Sequence, residues 1–290
     1  MTTDTTTKTV HLPAGPVSYR ESGSGDPILF VHGFLNDADL WREVIPLLDG
    51  DFRCIAPTWP LGSHGKAMKP DADLSPPGLA RTVADFMDAL ELEDVTLVGN
   101  DTGGAICQIV ATRHPERIGR LVLTPCDAYD NFLPAMFKPL EMLARVPGAM
   151  WGIGQSLRLK AVRHAPNGFG WLVKSGPDAE LTRAWVEPAL NDAGVRRDVA
   201  KILRGISERY TMEAAQRLAD FDRPTLIAWA PEDRFFKFEH GERLAATIPN
   251  ARLERIEDSY TYVSLDQPRR LADLISAFVR ETQTAPTPAG

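Results

Sequence analysis

The chain has 290 residues, 43% of them hydrophobic, and its 39 acidic against 32 basic side chains give a net charge of −7. That length allows one large domain or two, and the scatter of both signs along the chain makes nucleic acids and anionic membranes poor partners. The opening MTTDTTTKTV lacks the apolar core of a secretory signal, and no run approaches the ~18 apolar residues of a membrane span, so a cytoplasmic protein acting on a small molecule is expected.

Short β-rich runs follow one another at 17–22, 27–33, 53–57, 95–100, 117–125, 224–230 and 252–257, separated by stretches of helical periodicity such as Leu79, Val83, Phe86, Met87 and Leu90. The middle runs are almost wholly apolar, as strands covered on both faces must be. The alternation predicts an α/β protein with a mostly parallel sheet. It stops between Asp127 and Tyr210, where helical fragments are broken by Pro134, Pro147, Pro166, Gly168 and Pro177. Residues 127–210 are therefore read as an inserted helical cap on a core made of 1–126 and 211–290. The first seven and last eight residues, poor in apolar side chains, read as loosely docked tails. Cys54, Cys107 and Cys126 lie inside apolar runs without C-x-x-C spacing and read as buried free thiols of a reducing compartment. Neither a metal nor a cofactor is expected.

The chemistry concentrates in Val95–Ala105, where a strand runs into a helix through Gly99-Asn-Asp101-Thr102-Gly103. A side chain carried on a sharp strand-to-helix turn needs small neighbours two residues to either side, and both are glycine. The same turn aims the Thr102 N–H and a helix N-terminus at the site, where an anion is stabilised. An aspartate here also suits a helix N-cap, but capping explains neither flanking glycine. The run PILFVHGF adds a second donor, the N–H of Phe34, and its His32 reads as a packing residue.

Together with the APTWPLGSH loop, the cap and LIAWAPED, these motifs resemble the α/β-hydrolase family along nearly the whole chain. The resemblance implies a mostly parallel sheet of about eight strands with helices on both faces. Aspartate at the elbow is similar to the haloalkane and haloacid dehalogenase and epoxide hydrolase branches, where the carboxylate attacks carbon, and so implies Asp101 as nucleophile. It also implies an acid after the strand that follows the cap, here Asp233, with Asp127 second in rank. The family's histidine falls, counting back from Pro268, on Thr261, and the glycine before it on Tyr260. An ester on Asp101 then lacks its usual base. Of the six histidines, His64, in the loop after the RCIAP strand, is the candidate substitute. For substrate contacts the resemblance points to Asn36, Tyr129 and Tyr210, while the cap's own aromatics, Trp151 among them, either line a substrate cavity or pack the cap on the core. Three functions follow: hydrolysis of an epoxide, carbon–halogen or ester-type bond by a triad without histidine; a non-hydrolytic elimination or rearrangement; and ligand binding on an inactive hydrolase scaffold.

Overall fold

The computed structural model describes residues 6–283, so most of the two expected tails lies outside the described residues. The strands are β1 (Lys8–Leu12), β2 (Gly15–Ser22), β3 (Pro27–Val31), β4 (Arg53–Thr58), β5 (Val95–Asp101), β6 (Ile118–Cys126), β7 (Thr225–Trp229) and β8 (Ala251–Arg255). They form one sheet in the order β1-β2-β4-β3-β5-β6-β7-β8. β1 pairs with β2, and β2 with β4, antiparallel; every other pair is parallel. The expected α/β-hydrolase architecture is thus the observed one. β5 and β7 are buried almost residue for residue, whereas the edge strand β1 is largely exposed and the edge strand β8 mostly half-buried.

The helices are α1 (Ile45–Leu48), α2 (Pro76–Ala89), α3 (Thr102–Arg113), α4 (Pro139–Leu143), α5 (Ala149–Ser156), α6 (Lys160–Arg163), α7 (Ala179–Asn191), α8 (Ala193–Gly205), α9 (Glu208–Arg217), α10 (Phe238–Thr247), α11 (Val263–Asp266) and α12 (Pro268–Gln283). A right-handed crossover fixes the face each takes. From β4 onward every crossover steps toward β8, which sets α2, α3, α9 and α10 on one face. The step from β3 back to β4 sets α1 on the other, where α12 packs against it. α2 begins at Ser75, whose hydroxyl accepts from the Gly78 N–H, and buries Leu79, Val83, Phe86 and Met87 as their spacing predicts. α3 is buried from Thr102 to Ala111, wedged between the sheet, α2 and α9.

The switch point of this sheet lies where β3 and β5 run side by side and their chains leave toward opposite faces, opening a crevice at their carboxyl ends. Between β6 and β7 no strand occurs among the described residues, and side chains of α4, α5 and α6 from that stretch line the crevice from above. Among the described residues no helix is long and apolar enough to cross a membrane.

Candidate active site

Asp101 ends β5 with φ 54° and ψ −135°, a conformation that L-residues rarely adopt and that costs roughly 1–3 kcal/mol. The packing around it leaves no room to relax. A Cβ on Gly103 would strike the carbonyls of Val31 and His32, one on Gly104 would strike Cys126, and one on Gly99 would meet Cys107 and Gly104. A Cβ on Gly33 would collide with the Asp101 carboxylate itself. The side chain therefore lies over Gly33, and although Asp101 occupies the N-cap position of α3 it makes no capping bond. The turn is built to present the carboxylate, and capping does not account for it.

That carboxylate forms the floor of a cavity of about 330 Å³. Phe34, Leu35, Phe235 and Phe236 line it from the core, and Leu140, Leu143, Ile153, Leu157, Phe169 and Leu172 from the helices above. Asp101, Thr102 and Asp127 supply the polar groups of the floor. Burial pushes the Asp101 carboxyl up to about 7; the Thr102 N–H and hydroxyl draw it down, while the charge of Asp233 adds to the rise. Asp127 is fully buried, accepts a 3.3 Å bond from Thr102 Oγ1 and leaves Oδ1 without a partner. Burial, and then the nearby Asp101, raise its carboxyl well above the ordinary range.

Asp233 is held by a turn. Its Oδ1 accepts from the N–H groups of Phe235 and Phe236, both at 2.7 Å. Burial nevertheless lifts its carboxyl to about 6. Thr261 faces this carboxyl and draws it down, yet neither Thr261 Oγ1 nor Asp233 Oδ2 reaches hydrogen-bond geometry. The Thr261 carbonyl accepts from Asn100 Nδ2 at 2.8 Å, which ties the loop after β8 to the elbow. The structure thus brings together Asp101, Asp127, Asp233, Thr261, Thr102 and Phe34.

The other expected residues stand elsewhere. His64 is not a neighbour of the cavity: Nδ1 accepts from the Gly62 N–H within its own loop, and Nε2, 3.2 Å from Asp198 Oδ2, fastens that loop to α8. Tyr260 accepts from Arg234 at 2.7 Å on the surface side of its loop. Tyr129 is packed under Arg243, 3.6 Å from its ring centre, with its hydroxyl on Thr247. Tyr210 lies beneath Arg209, and Trp151 is 58% exposed. Asn36 is buried behind the cavity lining. His32 is a packing residue as expected: Nδ1 meets the Gly33 carbonyl, Nε2 accepts from the Trp59 N–H, and burial pushes it down to about 4. Among the described residues no histidine lines the cavity, and no group of three or more potential metal ligands occurs.

One residue escaped the sequence reading. Tyr262 is fully buried, accepts a 2.9 Å bond from Asn36 Nδ2 and stands edge-on to Trp185. Burial, and then the charge of Asp101, raise its phenol well above the ordinary range. Its position directly after Thr261 was the available signal.

Comparison with known proteins agrees with this fold. Haloalkane dehalogenase 2 of Mycobacterium bovis is 29% identical over 272 residues, spanning 90% of each chain. The 2-hydroxymuconate semialdehyde hydrolase of a Pseudomonas strain is 28% identical over 269 residues, spanning 91% of this chain and 90% of that one. The crystal structure of a haloalkane dehalogenase from Bradyrhizobium elkani superposes with a TM-score of 0.81 at 19% identity, over 98% of this chain and all of the other, and so shares the fold. The model of the alpha/beta hydrolase family matches residues 28–274, from the first parallel strand into the last helix, and with the elbow and crevice in place the chain belongs to that family.

Proposed function

We propose that the protein is an enzyme that attacks an electrophilic carbon of a small, largely apolar molecule with the Asp101 carboxylate, opening an epoxide or displacing a halide. The observation that carries this reading is the Asp101 side chain, held at positive φ over Gly33 as the floor of an apolar cavity. An Oδ atom forms the new C–O bond as the C–X bond breaks; a halide departs with the bonding pair, whereas an epoxide oxygen keeps it as an alkoxide on the same molecule and takes a proton from water. A cavity lined by Leu, Ile and Phe excludes water and favours apolar substrate. The helices of 127–210 act as its cap.

The ester on Asp101 must then be cleaved by water, with a group to take the proton. Thr261, in the histidine position, has no basic atom near neutral pH. The unpartnered Asp233 Oδ2, next to the unpartnered Thr261 hydroxyl, is the base in this reading: the hydroxyl orients a water and the carboxylate accepts its proton. Without an imidazole to relay the proton between water and carboxylate, cleavage of the ester is the slow step in this reading.

The test is intact-protein mass spectrometry after incubation with panels of epoxides and haloalkanes, with product release followed in parallel. A slowly decaying adduct located on Asp101 and absent from Asp101→Asn is the expected result. Neither adduct nor product with any compound would overturn nucleophilic attack. A second reading, proton transfer without hydrolysis, is favoured by one observation, a carboxyl at about 7 that is half ionised near neutral pH. Substrate consumption that leaves no adduct and incorporates no solvent oxygen would point to it.

A further inference from the structure

Eight large hydrophobic side chains are exposed among the described residues, and six of them fall between Met136 and Leu159. Met142 is 72% exposed, Leu159 63%, Trp151 58% and Val146 53%, and neither α4 nor α5 contains a buried residue. Scattered surface hydrophobics are ordinary, but a concentration in one run of consecutive helices marks a docking face.

Charge indicates what docks there. In a chain of net charge −7, residues 136–160 carry four basic side chains and one acidic. Lys138 reaches Glu208 at 3.7 Å. Arg145, Arg158 and Lys160 are exposed and pair with no carboxylate among the described residues; Arg145 donates to the Glu141 carbonyl and Arg158 to Gln155 Oε1. A tryptophan and long apolar side chains interleaved along the chain with unpaired cations is the composition of a helix lying in a membrane interface. The same helices contribute Leu140, Leu143, Ile153 and Leu157 to the cavity above Asp101, and Leu143 is both lining and exposed, so the cavity opens toward this face.

We infer that the face formed by α4–α6 docks peripherally on an anionic lipid bilayer. Met142, Val146, Trp151 and Leu159 enter the acyl boundary, and Arg145, Arg158 and Lys160 meet headgroup phosphates. The net acidity of the whole chain conceals this local reversal of sign. A second copy of the chain fits less well, because a two-fold pairing of this face would oppose identical cations. The inference does not rest on the chemistry proposed for Asp101.

The experiment uses the full chain and large vesicles, either phosphatidylcholine alone or phosphatidylcholine with about one third phosphatidylglycerol. The protein is expected to cosediment with the anionic vesicles and to be released at about 0.5 M salt. Its tryptophan emission shifts to the blue on binding, and Trp151→Phe removes most of that shift. Arg145→Glu/Arg158→Glu/Lys160→Glu lowers the partition coefficient by more than roughly tenfold, as does Met142→Glu/Leu159→Glu. All five positions are exposed, and unchanged melting temperatures identify folded variants. Absence of binding, equal binding to both vesicles, or binding indifferent to both sets of substitutions would overturn the inference. So would a dimer in solution that the same substitutions dissociate while vesicles are ignored.

Discussion

Two loops at the carboxyl edge of the sheet, the elbow after β5 and the segment after β8, face each other across Asn100 and have been treated very differently. The elbow keeps the geometry for presenting a nucleophile: glycines at 33, 99, 103 and 104 against which no Cβ fits, and a carboxylate at positive φ. The segment after β8 keeps its position, anchored by Asn100 on the Thr261 carbonyl, but offers a hydroxyl where a base is expected. Under the proposed chemistry, presenting a nucleophile and regenerating it would be separable tasks, the first resting on the elbow and the second on the groups around Thr261.

The largest effect should come from striking the elbow. Asp101→Asn is expected to abolish adduct and turnover, by roughly 10⁴-fold or more, while an apolar ligand still binds; this is read by mass spectrometry and calorimetry. Gly33→Ala pushes a methyl into the Asp101 carboxylate and should cost about 10²-fold in the rate of adduct formation, with the fold retained by circular dichroism. The opposite loop should respond in the other direction. Thr261→His restores an imidazole beside Asp233 and is expected to shorten the adduct lifetime by roughly 10²-fold or more, at a cost in stability of about 1–3 kcal/mol because the site is fully buried.

A pH series sharpens the same contrast. With Asp101 raised from its ordinary 3.8 to about 7, adduct formation should increase as pH rises through 7 and level off above it. The sign for stability is opposite. Between about 4 and 7 the folded chain holds a proton on Asp101 that the unfolded chain has lost, so stability falls as pH rises across that window. Asp101→Asn should therefore melt higher than the parent protein at pH 8, with the gap closing as pH falls toward 4. The smallest effect lies outside both loops: Ser75→Ala removes the α2 cap and should cost about 1 kcal/mol in chemical denaturation without changing adduct chemistry.

The sequence carried the sheet well because β3 to β7 are apolar runs whose burial on both faces leaves a direct mark on composition. It did not single out β1, an antiparallel edge strand of mixed composition, KTVHL, whose one buried residue is Leu12. The elbow was legible for a similar reason, since a backbone that excludes every Cβ leaves glycines at fixed spacing. The substrate contacts were not. Asn36, Tyr129, Trp151 and Tyr210 lie in segments near the cavity, but spacing along a chain does not set side-chain direction. Tyr129 has positive φ and is packed under Arg243, while Asn36 turns toward Tyr262. His64 failed as a base for another reason. Its partner Asp198 lies 134 residues away, and no local pattern announces a contact of that range.

That buried contact has a consequence for traffic through the molecule. His64 and the Met68 N–H both bind Asp198, and Arg197 donates to the Met68 carbonyl, so the amino-terminal part of α8 is riveted to the loop after β4. α4 and α5, by contrast, bury no residue of their own. Local opening is cheapest where few apolar contacts must be broken. Substrate and product should therefore exchange by parting α4 and α5 from the rest of the roof while α8 stays put, which assigns the rivet and the doorway to different helices of the same insertion.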